Sequence, residues 1–209
     1  MQWFVVYLMS GLLPWLFFVN SLNQSTTSVV MNPGLVKKVY FPREILPLSA
    51  VGANIFHFFL QMLVFFVFLL AIGWHFSVYV LYAPVVFLLE VVFTTGLCLF
   101  LSAMNVYLRD VQHFVEVLTM AWFWICPIIY TMGMVRQVAG RWTAIYLLNP
   151  MANITLLWQY VIYNPERYGP EAAYISFWGV LGTGLLSAVL LVISYYFFAR
   201  YERGFAEQI

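Results

Sequence analysis

The chain has 209 residues, of which 64% are apolar and 8% charged, with nine basic side chains against eight acidic ones. Soluble domains carry about 25% charge, and a mean hydropathy of +0.90 leaves too few polar residues to cover a water-facing surface. Composition therefore excludes a soluble globular domain and points to a protein whose partner is membrane lipid, with no nucleic acid expected.

A crossing helix needs roughly 20 apolar residues, so the gaps between charges locate the spans. Met1 to Val36 carries no charge and predicts a first span over 3–22. The loop 31–48 follows, with Pro33, Pro42 and Pro47 as stiff corners and an amphipathic stretch between the first two, which predicts a short helix or turn. It presents Lys37, Lys38, Tyr40, Phe41, Arg43 and Glu44. Two readings fit: a docking element whose aromatics enter a groove on a soluble partner, or a basic anchor on the anionic leaflet.

Ile45 to Leu89 is too long for one span, and Gly73 to Ser77 reads as a turn that divides it, giving spans 49–72 and 79–104. Glu90 lies near the middle of the latter, where a charge is costly. It is either a translocation-path candidate facing the bundle or a structural glutamate fixing helix contacts alongside Thr94. The turn after this span carries Arg109 and Asp110, and 113–131 predicts a fourth span. The segment 132–171 contains WTAIYLLNPMANITLLWQYVIY, broken at Asn149 and Pro150 into halves too short to cross. It predicts a re-entrant helical hairpin dipping from the outer face, with a flat interfacial helix pair as the alternative. A last span is predicted over 173–199.

The expected fold is thus an all-α polytopic transmembrane bundle of five spans in one domain, 1–209. The runs are continuously apolar instead of alternating, which excludes a β-barrel. Lys37, Lys38, Arg43, Arg109, Arg200 and Arg203 fall on one side, and the positive-inside rule makes that side cytoplasmic. Met1 then falls outside, an arrangement that a preceding N-terminal segment would relieve.

No Walker A loop, metal-spaced cluster or triad order is present, so the sequence points to no catalytic residue, metal or cofactor, and energy must come from elsewhere. Cys98 and Cys126 read as packing residues. Trp122, Trp124, Tyr130, Trp158 and Tyr160 offer faces on which sugar C–H surfaces stack along a path, or they belong to the interfacial aromatic belt. Gly179, Gly182, Gly184 and Ala188 predict close helix approach on the last span, within the chain or between copies.

Five stretches in order carry a family resemblance: GLLPWLFF (11–18), NPGLVKKVYFPREILPL (32–48), NVYLRDV (105–111), CPIIY (126–130) and LLNPMANI (147–154). In them the chain resembles the membrane subunit of ABC-2 type exporters, and among those the permeases that export O-antigen, teichoic acid or capsule polysaccharide. The resemblance implies a six-span half-transporter of the bacterial inner membrane. It would dimerise, pair with two ATP-binding ABC subunits and move a lipid-linked glycan outward. It places 37–48 on the element that receives the ATPase stroke, Arg109 and Asp110 at a second contact, and 132–163 at the exit. Family members begin with an amphipathic helix and one further span ahead of GLLPWLFF, which this sequence does not show. An ABC-2 exporter of drugs or other lipids, a membrane-embedded enzyme acting on lipid-linked sugars, and an inactive truncated remnant are the alternative readings.

Overall fold

The computed structural model describes residues 3–38, 41–163 and 177–208. Among them every regular element is helical. Helix α1 runs over Phe4–Ser28, α2 over Pro33–Lys38, α3 over Ile45–Ala71, α4 over Ala83–Tyr107 and α5 over Val111–Ile125. After these come α6 (Met132–Ala139), α7 (Thr143–Tyr146), α8 (Pro150–Tyr163), α9 (Phe177–Tyr201) and α10 (Phe205–Gln208). Among the described residues four stretches are long and apolar enough to cross a membrane: Phe4–Ser28, Ile45–Ala71, Val78–Tyr107 and Trp178–Gly204. The protein is a multi-pass membrane protein with an all-helical bundle.

Each boundary has a local cause. Helix α3 starts at Ile45 instead of the expected 49, because Pro47 is accommodated in its first turn, where a missing N–H costs no hydrogen bond. It ends at Gly73, whose φ of +69° lets the chain fold back so that Trp74 N–H reaches the Leu69 carbonyl. Helix α5 departs most from expectation. The stretch 113–131 was expected to cross, but the helix has 15 residues, about 22 Å at 1.5 Å per residue, against a hydrocarbon core of about 30 Å. Cys126 is extended, with φ −83° and ψ 141°. The residue before a proline is pushed out of the α region, and Pro127 comes next.

Helix α1 is the axis of the bundle, packing against α3, α4, α5 and α8, and α4 packs most extensively against α9. On α3 the buried side chains Val51, Asn54, Phe58, Met62, Phe65 and Leu69 recur at steps of three and four, one stripe of a helix. Its other face, including Phe56, Leu63, Val64 and Val67, is just as apolar and is exposed, as a lipid-facing surface must be. On α9 the buried stripe is Thr183, Ser187, Ser194 and Phe198. A close backbone approach is made from α4: a Cβ on Gly96 would lie 3.0 Å from the backbone nitrogen of Leu191 on α9. Of the small residues noted on α9, Gly182 has open space within 4 Å and Gly184 meets only Leu89 Cδ1, so neither makes a close helix contact within the chain.

The core has two parts. A large aromatic cluster joins α1, α3, α4, α5 and α8. At its centre Phe18 stacks on Phe93 with centroids 5.8 Å apart and meets Trp122 edge-on at 5.4 Å. A smaller cluster lies at the end of the bundle where the basic residues gather, drawing Val29, Val36, Leu46, Leu99, Ala103, Val106, Phe198 and Phe205 together.

Candidate functional site

Helix α8 is the element that the bundle holds most completely. Met151, Ala152, Ile154, Val161 and Ile162 are all buried. Its first turn lies beside Trp122, in the last turn of α5 and edge-on to Phe18 in the core, where Asn149 Oδ1 accepts from Trp122 Nε1 and from the Met151 N–H, both at 3.1 Å. An asparagine ahead of a helix is a strong N-cap, so one side chain both starts α8 and ties it to α5. Its last turn lies at the far end, where Trp74 Nε1 donates to the Ile162 carbonyl. Helix α8 thus starts deep in the bundle and rises to one face, its backbone enclosed by protein. The remainder of the segment expected to form the outer hairpin, 164–171, lies outside the described residues.

Between those ends, polar groups stitch α8 to its neighbours. Trp158 Nε1 donates to Glu90 Oε2 at 2.8 Å, and both side chains are buried. Glu90 Oε1 and Thr94 Oγ1 have no hydrogen-bond partner. Gln159 Nε2 donates to the Pro127 carbonyl at 2.7 Å, and Asn153 Nδ2 reaches Thr183 Oγ1 on α9 at 3.0 Å. Gly11 is the gap through which the Gln159 side chain passes, since a Cβ there would lie 2.9 Å from Gln159 Nε2. Glu90 is the sole buried carboxylate among the described residues.

The expected path residues therefore divide. Glu90 and Trp158 are joined in the interior, and Trp122 is held by Asn149. Tyr160 is half-buried with its ring 4.8 Å from Tyr79, and Tyr130 O–H donates to the Trp124 carbonyl at 2.9 Å. Trp124 is 66% exposed. It lines an open groove of about 430 Å³ between α1 and α5 with Trp15, Asn23, Glu116, Thr119 and Phe123. Trp15 was not among the sequence candidates, although Glu116, Thr119, Phe123 and Trp124 recur at helical spacing on one face of α5, the pattern that signals such a groove.

At the basic end, α2 is a six-residue helix that exposes Leu35 and Lys37 and buries Val36. Phe41 packs on the smaller core cluster. Arg43 donates to the Glu202 carbonyl, and Glu44 precedes α3. Arg109 and Asp110 are exposed in the turn between α4 and α5. Asn105 holds that turn, donating to the Thr26 carbonyl at 3.0 Å and accepting from Gln112 N–H at 3.1 Å. Tyr40 and the side chain of Lys38 lie outside the described residues.

Long apolar spans, a short helix enclosed among them and an exposed basic helix at one end define a membrane transport domain. The chain belongs to the ABC-2 type transporter family, whose model matches residues 1–163. Among characterised proteins it is 31% identical to the O-antigen export system permease protein RfbA of Myxococcus xanthus, over 99% of this chain and 76% of that protein. It is 30% identical to the protein of the same name from Klebsiella pneumoniae, over 98% of this chain and 75% of that one.

Proposed function

We propose that this chain is the permease subunit of an ATP-driven exporter that carries a lipid-linked polysaccharide outward across the bacterial inner membrane. It works as a homodimer with two ATP-binding subunits. The observation that carries this reading is the likeness to O-antigen export permeases along nearly the whole chain, beyond the family match alone. The basic end of the bundle is then cytoplasmic, by the positive-inside rule. Helix α2 and the chain that follows it are the ATPase contact, with Lys37, Arg43 and Glu44 as charged groups, and Arg109 and Asp110 form a second one. The groove with Trp15, Phe123 and Trp124 suits a repeating glycan, because indole and phenyl faces stack on sugar C–H surfaces without demanding one hydroxyl pattern, while Asn23 and Glu116 offer hydrogen bonds. Glu90 and Trp158 position α8, which lies at the exit side.

Two measurements test the proposal. The chain is co-expressed with its cognate ATP-hydrolysing subunit and purified through the permease, with Leu35→Asp and Lys37→Glu as variants of exposed residues. Capture that the variants weaken is expected; equal capture by all forms removes α2 from the contact. Deletion of the gene in its host is expected to abolish surface polysaccharide on intact cells. Unchanged surface polysaccharide with altered efflux of a drug or lipid would instead favour an exporter of that class.

A further inference from the structure

The chain beyond α9 turns back onto the bundle. A 3₁₀ turn over Glu202–Gly204 leads into α10, which packs against both α2 and α4. Phe205 is 0% exposed and meets Phe198 edge-on at 5.3 Å and Tyr107 at 6.0 Å. It belongs to the cluster that also takes Val36 from α2, Leu46 from α3 and Leu99, Ala103 and Val106 from α4.

Two donors from other parts of the chain lock this turn at carbonyls near the end of α9, where helix carbonyls lack partners of their own. Tyr107 O–H donates to the Tyr201 carbonyl at 2.9 Å, and the Arg43 guanidinium donates to that of Glu202. Gly204 is shaped to the contact, because a Cβ there would lie 2.7 Å from the Tyr107 hydroxyl. Helix α2, by contrast, has little hold of its own. Six residues are too few for a self-supporting helix, and Leu35 and Lys37 face away from the protein while Val36 is buried. What fixes α2 is the surface on which Val36 rests, and Phe205 builds part of that surface.

We propose that the C-terminal segment Glu202–Gln208 is a strut that positions α2 on the ends of α4 and α9, so that a displacement imposed on α2 reaches those two spans. Without it α2 keeps its flanking chain and the rest of the cluster around Val36, and loses the segment that links it to the end of α9. The inference rests on the reading of α2 as the ATPase contact. Phe205, Tyr107 and Arg43 are positioning residues, and none of them is required to touch glycan or nucleotide.

The test uses the full chain with its ATP-hydrolysing subunit, in cells lacking the chromosomal copy. Four quantities are compared: permease in the membrane, ATPase co-purified with it, ATP hydrolysis by the complex, and surface polysaccharide on intact cells. Phe205→Ala is expected to retain capture and hydrolysis while export per complex falls about tenfold, within the usual range of coupling between linked sites. Phe205→Leu, which refills the site, is expected to recover most of that loss. Wild-type export by Phe205→Ala, or export and capture falling in proportion, overturns the strut. If Phe205→Ala fails to accumulate, Tyr107→Phe decides, since it deletes one hydrogen bond and keeps the ring. It is expected to lower the ratio of export to hydrolysis about threefold, and an unchanged ratio overturns the proposal. Absence of ATPase capture by the unsubstituted chain would remove the ATPase reading and the strut with it, whereas the variant results bear on the strut alone.

Discussion

Replacing Trp158 by phenylalanine isolates what the Glu90 contact contributes. The indole N–H is the one partner of Glu90 Oε2 at 2.8 Å, while Oε1 has none. Its removal leaves a fully buried carboxyl group without any hydrogen bond, at a cost of about 1–3 kcal/mol. The smaller ring keeps the contact with Phe58, now 5.6 Å between centroids, but loses packing worth about 1 kcal/mol more. A loss of about 2–4 kcal/mol lowers the thermal midpoint of the detergent-solubilised protein by roughly 5–15 °C for a chain of this size. Glu90→Gln retains an acceptor for the indole and is expected to cost less than about 1 kcal/mol. Glu90→Leu orphans the Trp158 N–H, so a cycle of Glu90→Leu with Trp158→Phe is expected to show a coupling energy of about 1–2 kcal/mol. Additive losses, or a Glu90→Gln variant as damaged as Trp158→Phe, would refute the reasoning.

Other substitutions test the packing. Gly96→Ala forces α9 away from α4 at the Leu191 backbone and is expected to cost about 1–3 kcal/mol, whereas Gly182→Ala, with open space around it, is expected to leave the midpoint unchanged. Phe18→Ala removes the stacked partner of Phe93 and Trp122 from a site with no exposure, and a loss of about 3–5 kcal/mol is expected in the same melting assay. Asn149→Ala removes the cap of α8 and the acceptor of Trp122. It is expected to cost about 1–2 kcal/mol, with faster hydrogen exchange confined to the first turn of that helix.

The all-helical bundle and the division at Gly73 were legible because charge gaps and turn residues are local properties. The sidedness of each helix was not. On α3 Phe58 is buried and Phe59 is exposed to lipid, yet both are phenylalanine, so no polar face marks the inside. The end of α5 was written in the sequence at Pro127 but masked by the apolar residues that continue through Ile128 and Ile129. Within the chain, α9 is approached closely at Gly96 of α4 and not at its own Gly182 or Gly184, which a single helix's sequence does not show. For Glu90, burial was legible from its place in an apolar run. Trp158, 68 positions away, was not, because only the placement of α8 inside the bundle brings the two together.

That placement has a consequence for how the protein is made. Helix α8 has 14 residues, about 21 Å of length, short of the ~30 Å that lets a segment enter the bilayer as an independent span. Its polar side chains Asn153, Gln159 and Thr155 find their partners on α9, at Pro127 and within α8 itself. The segment therefore has no stable residence in lipid until α1, α4 and α9 have formed the cleft that receives it. Length therefore separates α1, α3, α4 and α9, which can enter lipid as spans, from α8, which depends on the cleft between them.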